Sequence, residues 1–387
     1  MAHVLIAGAG IGGLTAGLAL AQSGHQVDIL ERTKVLSEVG AGLQLSPNAM
    51  HVMATLGLKS TLMDVGFQPE NAVVLDYQTG EPRFELPLRD RMQAKYGAPY
   101  LNLHRADLQQ TLLETALAAG AQVHLGVEAA NFDQNTNEVR VADYQGDLLI
   151  GADGIRSSIA AQMFGPQDPR FTGQIAWRGT VAADAVPHGT IKPNATVWVG
   201  DGLHIVTYLL RGMSQISFVA VEERYDWRAE DWEQQGDVAQ FRARFAQAAE
   251  PLQTLFSAVE NVHLWGLFDR PARPSWVDGR VALLGDAAHP MLPFMAQGAA
   301  MAIEDAWVLA DAISRFDGPD ALKRYQNARH TRATRVQDMS RANADLYHRP
   351  NSVLNRAKMK IAQLLPSVAH ARLASVYGVK VTRETGL

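Results

Sequence analysis

Three glycines near the start of the chain, Gly8, Gly10 and Gly13, stand in the pattern G-x-G-x-x-G, and Glu31 follows 18 positions after the last of them. Residues of these types at this spacing can hold a dinucleotide. Glycines let backbone approach a pyrophosphate, a helix starting behind them stabilises its charge, and a carboxylate accepts hydrogen bonds from ribose hydroxyls. A glycine turn can also serve packing alone, so the flanking elements decide. His3 to Ala7 reads as a buried strand, Ile11 to about Ser23 as a helix stopped by Gly24, and Val27 to Leu30 as the next strand, completing a βαβ unit. Glu31 disfavours a 2'-phosphate here by charge repulsion. The site therefore suits FAD or NAD.

Two more segments follow apolar strands: Gly151-Ala152-Asp153-Gly154-Ile155-Arg156-Ser157 after Leu148 to Ile150, and Gly285-Asp286-Ala287-Ala288-His289-Pro290 after Val281 to Leu284. Either dipeptide alone reads as a turn. In this order with the glycine fingerprint, they resemble the class A flavoprotein monooxygenases, the para-hydroxybenzoate hydroxylase-like enzymes, over essentially the whole chain. The resemblance is strongest in the three motifs and loosest after Arg341. It implies FAD, with NADH or NADPH and O2 as co-substrates. It gives Asp286 the flavin ribityl and pyrophosphate region, Asp153 a role toward both FAD and NAD(P)H, and Arg105, in Leu103-His104-Arg105-Ala106-Asp107-Leu108, a reach to FAD; the alternative for Arg105 is a solvated helix-end charge. Arg32, Gln44, Gly298 and Ala299 join the expected cofactor-binding set. A helix opening at Met295-Ala296-Gln297-Gly298-Ala299-Ala300 and aimed at the isoalloxazine would stabilise the anionic reduced flavin, and Gly298 would bring bare backbone to the ring. A plain helix start is the alternative.

In that family NAD(P)H reduces FAD, O2 adds at flavin C4a, and an electron-rich ring carbon attacks the terminal oxygen. A phenol substrate is activated by deprotonation, so the site needs a proton acceptor and a water-poor cavity. His204 and Tyr208 sit four positions apart in a strand-like segment, hence on one face and about 13 Å apart. Histidine suits the acceptor role at neutral pH, and Tyr could fix a carboxylate or ring. A surface His beside a core Tyr is the alternative. The His-x-x-x-Tyr pair, with Ala296 to Ala306, resembles the branch containing 3-hydroxybenzoate 6-hydroxylase, salicylate hydroxylase and 6-hydroxynicotinate 3-monooxygenase. Histidines of the hydroxynicotinate type are replaced here by Gln44 and Phe294, which favours a benzenoid acid. Expected catalytic residues are His204 and Tyr208, joined in substrate binding by Arg178, Phe294 and Gln297. Arg83 and Arg211 are weaker carboxylate anchors, His289 reads as structural, and Trp177, Met291 and Met295 line the pocket or fill core. Pro290 and Pro293 stiffen the flavin-side loop.

These residues need two kinds of scaffold. Helices are expected over Pro47 to Leu56, Arg105 to Ala119 and Gln297 to Phe316, with an acidic helical stretch from Asp231 to Ala249 and a helical, Arg-containing final 70 residues. Val73 to Tyr77 and Arg83 to Leu86 read as short strands. Val123 to Leu125, Glu138 to Val141 and Leu148 to Ile150 resume the first sheet. Ile175 to Val221 alternates as an antiparallel sheet, and Trp265 to Asp269 and Val281 to Leu284 follow as strands. The fold class is α/β, a Rossmann-like FAD-binding domain of the GR2 type interleaved with an antiparallel-sheet substrate domain and C-terminal helices. Residues 1–72, 98–172 and 268–340 form the first domain, 73–97 and 173–267 the second, and 341–387 the C-terminal segment.

The 387 residues carry 47% hydrophobic and 19% charged side chains, enough for two packed lobes. A net charge of -5 disfavours a nucleic-acid partner and leaves a small aromatic acid as the expected one. The absence of cysteine excludes disulfides and thiolate chemistry, and no metal ligand set is expected. The apolar run Val4 to Ala21 lacks a preceding basic residue and is broken by glycines, which argues against a signal peptide. With no span-length apolar segment, a cytoplasmic enzyme is expected. The C-terminal helices suit either a homodimer contact or packing on their own chain. Competing readings are a relative of the same family acting as an epoxidase or on a larger, drug-like aromatic, a flavin-binding sensor without turnover, and a plain NAD-dependent dehydrogenase, which leaves Asp153 and Asp286 unexplained.

Overall fold

In the computed structural model, residues 1–36, 42–227, 234–348, 373–383 and 386–387 are described, apart from the side chains of 345 and 346. Among them, strand His3–Ala7 lies at the centre of a six-stranded sheet, with Gln26–Glu31 then Gln122–Leu125 on one side, and Leu148–Gly151, Val281–Leu283 and Val277–Asp278 on the other. All neighbours are parallel except the edge pair Val277–Asp278 with Val281–Leu283. Ile6 lies beside Ile29 on one side and Ile150 on the other, and all three are fully buried. Helices cover both faces of such a parallel sheet, which is why its strands are apolar without alternation. Helix Ile11–Gln22 reaches the sheet through Gly17, where a β-carbon would stand 3.3 Å from Ile29 Cγ1.

The second large sheet has seven strands among the described residues, in the order His263–Asp269, Arg170–Ala182, Gln215–Glu223, Leu203–Leu210, Ala195–Gly200, Asn71–Asp76, Pro82–Pro87. It is antiparallel, as expected, except where Ala195–Gly200 runs parallel to Asn71–Asp76. Hairpin-linked neighbours must be antiparallel, but these two are joined by a long connection that leaves direction free. Period-two alternation gives this sheet two unlike faces. Ile175, Trp177, Ile205, Leu209, Phe218 and Ala220 face a buried cluster with Phe241, Phe245, Leu252 and Phe256. The other face turns Ala176, Val219 and Val221 toward Leu292 and Phe294.

Several expected elements differ. The helix expected from Asp231 to Ala249 is Val238–Arg244 followed by Glu250–Ser257, with residues 231–233 outside the described set. The Asp237 carboxylate accepts the Ala239 and Gln240 N–H groups and starts the first helix, and Pro251 lies in the first turn of the second. Val139–Val141 leaves the main sheet and pairs with Phe132–Gln134 and Tyr144–Gly146. Its short loops permit only an antiparallel meander, since a parallel strand needs a long crossover. Gly42–Leu45 pairs with Leu101–His104, a small sheet that the sequence did not announce. Of the final 70 residues, helix Gly318–Tyr347 is present, 349–372 lie outside the described residues, 373–377 are helical, and 381–383 form a turn. Among the described residues, no helix is long and apolar enough to cross a membrane.

Candidate functional site

The three motifs meet at the carboxyl ends of adjacent parallel strands. Gly8 N–H donates to Leu30 O, Ala152 N–H to Ala7 O, and Leu284 N–H to Gly151 O, so each turn is tied to the strand beside it. This is the crevice where the strand order reverses and open α/β sheets take ligands. The glycines divide the work. Gly8 has φ +105, and a β-carbon there would lie 2.6 Å from Ala152 O; one at Gly13 would overlap the Gly8 carbonyl oxygen. At Gly10 a β-carbon would meet nothing within 4 Å, which leaves that side open to an incoming group. Gly10 is also the N-cap of helix Ile11–Gln22 and provides no side-chain cap, so the first-turn N–H groups remain available for an anion.

Glu31 clasps this turn. Its Oε2 accepts the Ala9 N–H at 2.8 Å, and its Oε1 accepts the Thr33 N–H at 2.9 Å and hydroxyl at 3.0 Å. Arg32, next to it, is exposed. Asp153 Oδ2 accepts the Ile159 N–H at 3.2 Å, while Oδ1 is buried with no hydrogen-bond partner. An orphaned carboxylate oxygen at a strand end is what a hydroxyl-bearing ligand would satisfy.

Asp286 follows the last parallel strand. Its side chain keeps access to solvent, and the protein packed around it still desolvates the carboxylate. That desolvation raises its pKa, against the opposing pull of His289 and Arg105. Gly298 sits over it: a β-carbon there would lie 3.9 Å from Asp286 Oδ1 and 3.9 Å from Met291 Cγ. Gly298 and Ala299 open helix Gly298–Arg315, directed into this cleft by Ala296 in the left-handed region, φ +50. Gln44 lies on strand Gly42–Leu45 and donates to Asn102 Oδ1 at 3.3 Å.

A buried ionic network fixes the Gly-Asp turn. Asp305 Oδ2 accepts the Gly285 N–H at 3.2 Å and contacts His289 Nε2 at 2.5 Å, and its Oδ1 accepts from Arg329 Nε at 2.7 Å. Glu304 accepts from Arg329, Arg332 and Asn48 at 2.6 to 2.7 Å. Burial alone would raise the Asp305 pKa, but His289 and Arg329 together hold it down at about 2. His289 is thus held in the network through Nε2. Sequence reasoning missed Glu304 and Asp305, although two adjacent carboxylates within an apolar helical stretch are a readable signal of buried pairing.

The site face of the second sheet gathers His204, Tyr208 and Arg178. Arg178 registers with Val219, which registers with Val206, so Arg178 lies two strands away, about 10 Å, opposite the midpoint between His204 and Tyr208. Burial lowers the Arg178 pKa to about 10, Tyr208 pulls it back up, and Arg105 lowers it further; among the described residues no carboxylate offsets its burial. Its guanidinium packs over Trp265 at 5.6 Å. Tyr208 is buried, which raises its pKa, with Arg178 acting against the rise. Arg105 opens helix Arg105–Ala118 with an exposed side chain, and its charge is felt at both Asp286 and Arg178. Burial drives the His204 pKa well down, and His348 adds to the drop, leaving a neutral imidazole at pH 7. The Phe294 ring stands 5.3 Å from that of His204.

Other candidates lie elsewhere. Gln297 turns inward, donating to Ser46 Oγ at 2.9 Å and accepting from Asn48 at 3.2 Å, so it stays away from the His204 face. A buried amide needs its full set of partners, and Ser46 and Asn48 supply them. Arg83 pairs with Asp76, and Arg211 with Asp107 at 2.6 Å, so both guanidinium groups are occupied. Trp177 faces the opposite core and donates to Glu222 Oε1 at 2.8 Å. Met291 and Met295 pack in a cluster with Tyr100 and Met301. Among the described residues, no group of three or more His, Cys, Asp or Glu could hold a metal ion.

Residues 1–340 match the FAD binding domain family. The chain is 36% identical over 354 residues to a 3-hydroxybenzoate 6-hydroxylase of Aquipseudomonas alcaligenes, covering 89% of this chain and 90% of that protein. It is 34% identical over 351 residues to the 6-hydroxynicotinate 3-monooxygenase of Bordetella bronchiseptica, covering 88% and 91%. A salicylate hydroxylase substrate complex superposes with a TM-score of 0.82 at 25% identity, covering 99% of this chain and 97% of that one. Klebsiella pneumoniae HpxO complexed with FAD and uric acid superposes with a TM-score of 0.82 at 27% identity, covering 94% and 93%.

Proposed function

We propose, on the premise that this chain belongs to the FAD binding domain family and is an FAD-dependent aromatic monooxygenase, that its substrate is a small hydroxylated aromatic acid of the 3-hydroxybenzoate or salicylate type. Its cofactor is FAD, with NAD(P)H and O2 as co-substrates. The residues fit that group: the open side of Gly10, the unpartnered Asp153 oxygen and the Asp286 carboxylate beside Gly298 follow the carboxyl ends of three adjacent parallel strands. Glu31, Asp153, Asp286, Arg105, Gly298 and Ala299 would hold it, with Arg32 and Gln44 at its margins. When bound, FAD accepts hydride from the nicotinamide and supplies activated oxygen to the substrate ring.

The observation that carries the substrate reading is Arg178, a half-buried guanidinium with no carboxylate partner among the described residues, on the same sheet face as His204 and Tyr208. A desolvated cation of this kind is stabilised when a ligand carboxylate arrives, and a bidentate pair would also orient the ring. Tyr208 would hold the ring or carboxylate, and His204 would accept the phenol proton through Nε2. Phe294 and Leu292 keep water from that end. In this reading residues 1–72, 98–172 and 268–340 carry FAD, 73–97 and 173–267 carry the substrate, and 341–387 are a separate C-terminal segment.

The test is NADH and NADPH oxidation by the purified flavoprotein with 3-hydroxybenzoate, salicylate, 4-hydroxybenzoate and 6-hydroxynicotinate, counting hydroxylated product and hydrogen peroxide. We expect a benzenoid acid to stimulate oxidation with near-stoichiometric product. Stimulation by none of the benzenoid acids would refute the substrate assignment and leave the family intact.

A further inference from the structure

A hydrogen-bonded line runs from the buried sheet face to the surface through residues from three parts of the chain. His204 Nδ1 lies 2.8 Å from His348 Nε2, and His348 Nδ1 lies 3.2 Å from Glu223 Oε1. His204 is 2% exposed, and the His348 and Glu223 side chains are 2% and 38% exposed, so the line ends in solvent. Because Nδ1 of His204 is engaged, Nε2 is the nitrogen left for a ligand. We propose that His204, His348 and Glu223 form a proton relay that takes the proton of the substrate hydroxyl out of the closed site. This rests on the reading of His204 as the proton acceptor.

The physical need for a relay comes from burial. A proton taken up by His204 and retained would create an imidazolium in a desolvated site, beside a second histidine that disfavours the charge further. Passing one proton on avoids that charge. The substrate O–H bond breaks as an N–H bond forms at His204 Nε2. The proton on His204 Nδ1 moves to His348 Nε2, and the proton on His348 Nδ1 moves to Glu223 and then to water. One proton enters, one leaves, and each ring ends in its opposite tautomer. Hydroxylation with NADH and O2 consumes one proton overall, and a proton returning along the line restores both tautomers. Gln174 Nε2 lies 3.3 Å from His348 Nδ1, and its own amide oxygen is buried without a partner. A flip of this amide would offer donor or acceptor to either tautomer. Among the described residues, Phe294 and Tyr347 also face His204, and the Tyr225 hydroxyl lies 3.5 Å from Glu223 Oε2.

His348 and Glu223 are positioning residues, acting through His204. The experiment uses the FAD-loaded enzyme and its His204→Asn, His348→Asn and Glu223→Gln variants, with 3-hydroxybenzoate as probe. Proton release on mixing is followed with an indicator dye in weak buffer, alongside NADH-driven flavin reduction. We expect His348→Asn to retain FAD and reduction, to slow proton release and hydroxylation by roughly 10-fold or more, and to regain part of the rate with added imidazole. Glu223→Gln, a surface change, should slow release without affecting folding. Wild-type release in His348→Asn and Glu223→Gln with slow release in His204→Asn overturns the relay but keeps His204 as acceptor, whereas wild-type release in all three removes the acceptor as well. Histidine-selective 15N NMR without substrate is independent of which acid is bound: a resting proton on Nδ1 of both rings supports the relay, and a His204 ring protonated at Nε2 instead overturns it.

Discussion

The Gly42 backbone forms the wall against which Tyr208 is set: a β-carbon at Gly42 would overlap Cε2 of the Tyr208 ring and come within 2.8 Å of its hydroxyl oxygen. Gly42 lies on an extended strand, so space is the constraint at this position. Gly42→Ala should displace the ring or cost about 1–3 kcal/mol of overpacking. We expect unchanged FAD content, a several-fold higher KM for the aromatic acid and a lower Tm. The Tm loss should shrink when Tyr208→Val is added, because the two residues touch. Additive losses in thermal melts would show that the contact is not formed.

Arg178 offers a sharper test of substrate charge. Arg178→Met removes the cation while keeping an apolar stem of similar reach. Losing a buried pair costs about 2 kcal/mol or more, so KM for the acid should rise ~30-fold or more, with little change for the corresponding phenol lacking a carboxylate. Steady-state kinetics on the matched pair decide it; equal effects on both would assign Arg178 to packing.

Replacing Asp286 by Ala should yield protein with little bound FAD. A charge-assisted hydrogen bond contributes about 1.5–3 kcal/mol, a weakening of ~10- to 150-fold, measured by flavin fluorescence on titration of the apoprotein. Undiminished affinity would count against this residue as a ligand.

The Asp305 network should matter to stability before chemistry. Arg329→Met takes one cationic partner from each of Asp305 and Glu304 in a dry interior, and losing one partner of a buried ion pair costs about 3–5 kcal/mol. Urea midpoints should fall accordingly, with weaker FAD retention because Asp305 anchors Gly285 and His289. An unchanged midpoint would refute the network's role.

Acid should destabilise the fold in two windows. His25, His51 and His204 all have pKa values lowered by burial, so between those values and about 6.5 the unfolded chain binds more protons, and stability falls as pH drops through that window. Asp305, depressed to about 2, stabilises the fold above its unfolded value and loses that contribution as pH falls toward 2. Denaturation from pH 8 to 4 should therefore show a declining midpoint below about 6.5, with a shallower slope in His204→Phe. The same slope in both proteins would mean that His204 is not titrating on unfolding.

The sequence by itself determined the nucleotide-side fold, because its signals are local. The fingerprint glycines, Glu31 and the two Asp motifs each sit at the end of a short apolar strand, and parallel strands place such ends together whatever follows. His204 and Tyr208 could likewise be put on one face from strand periodicity alone. What the sequence left open depends on distant pairing. The expected acidic helix shrinks to Val238–Arg244, started by Asp237, and a long connection let Ala195–Gly200 run parallel to Asn71–Asp76. Trp177 and Arg178 are adjacent in sequence, yet alternation sends one into the phenylalanine core and the other to the site. Only tertiary structure separated Arg178 from Arg83 and Arg211, since a guanidinium is available for a ligand only when folding brings no carboxylate to it, and that is decided by residues far along the chain. The meeting of His204 with His348 is of the same kind: 144 positions apart, the two rings are joined by the packing of a C-terminal helix against a sheet, which no local pattern encodes.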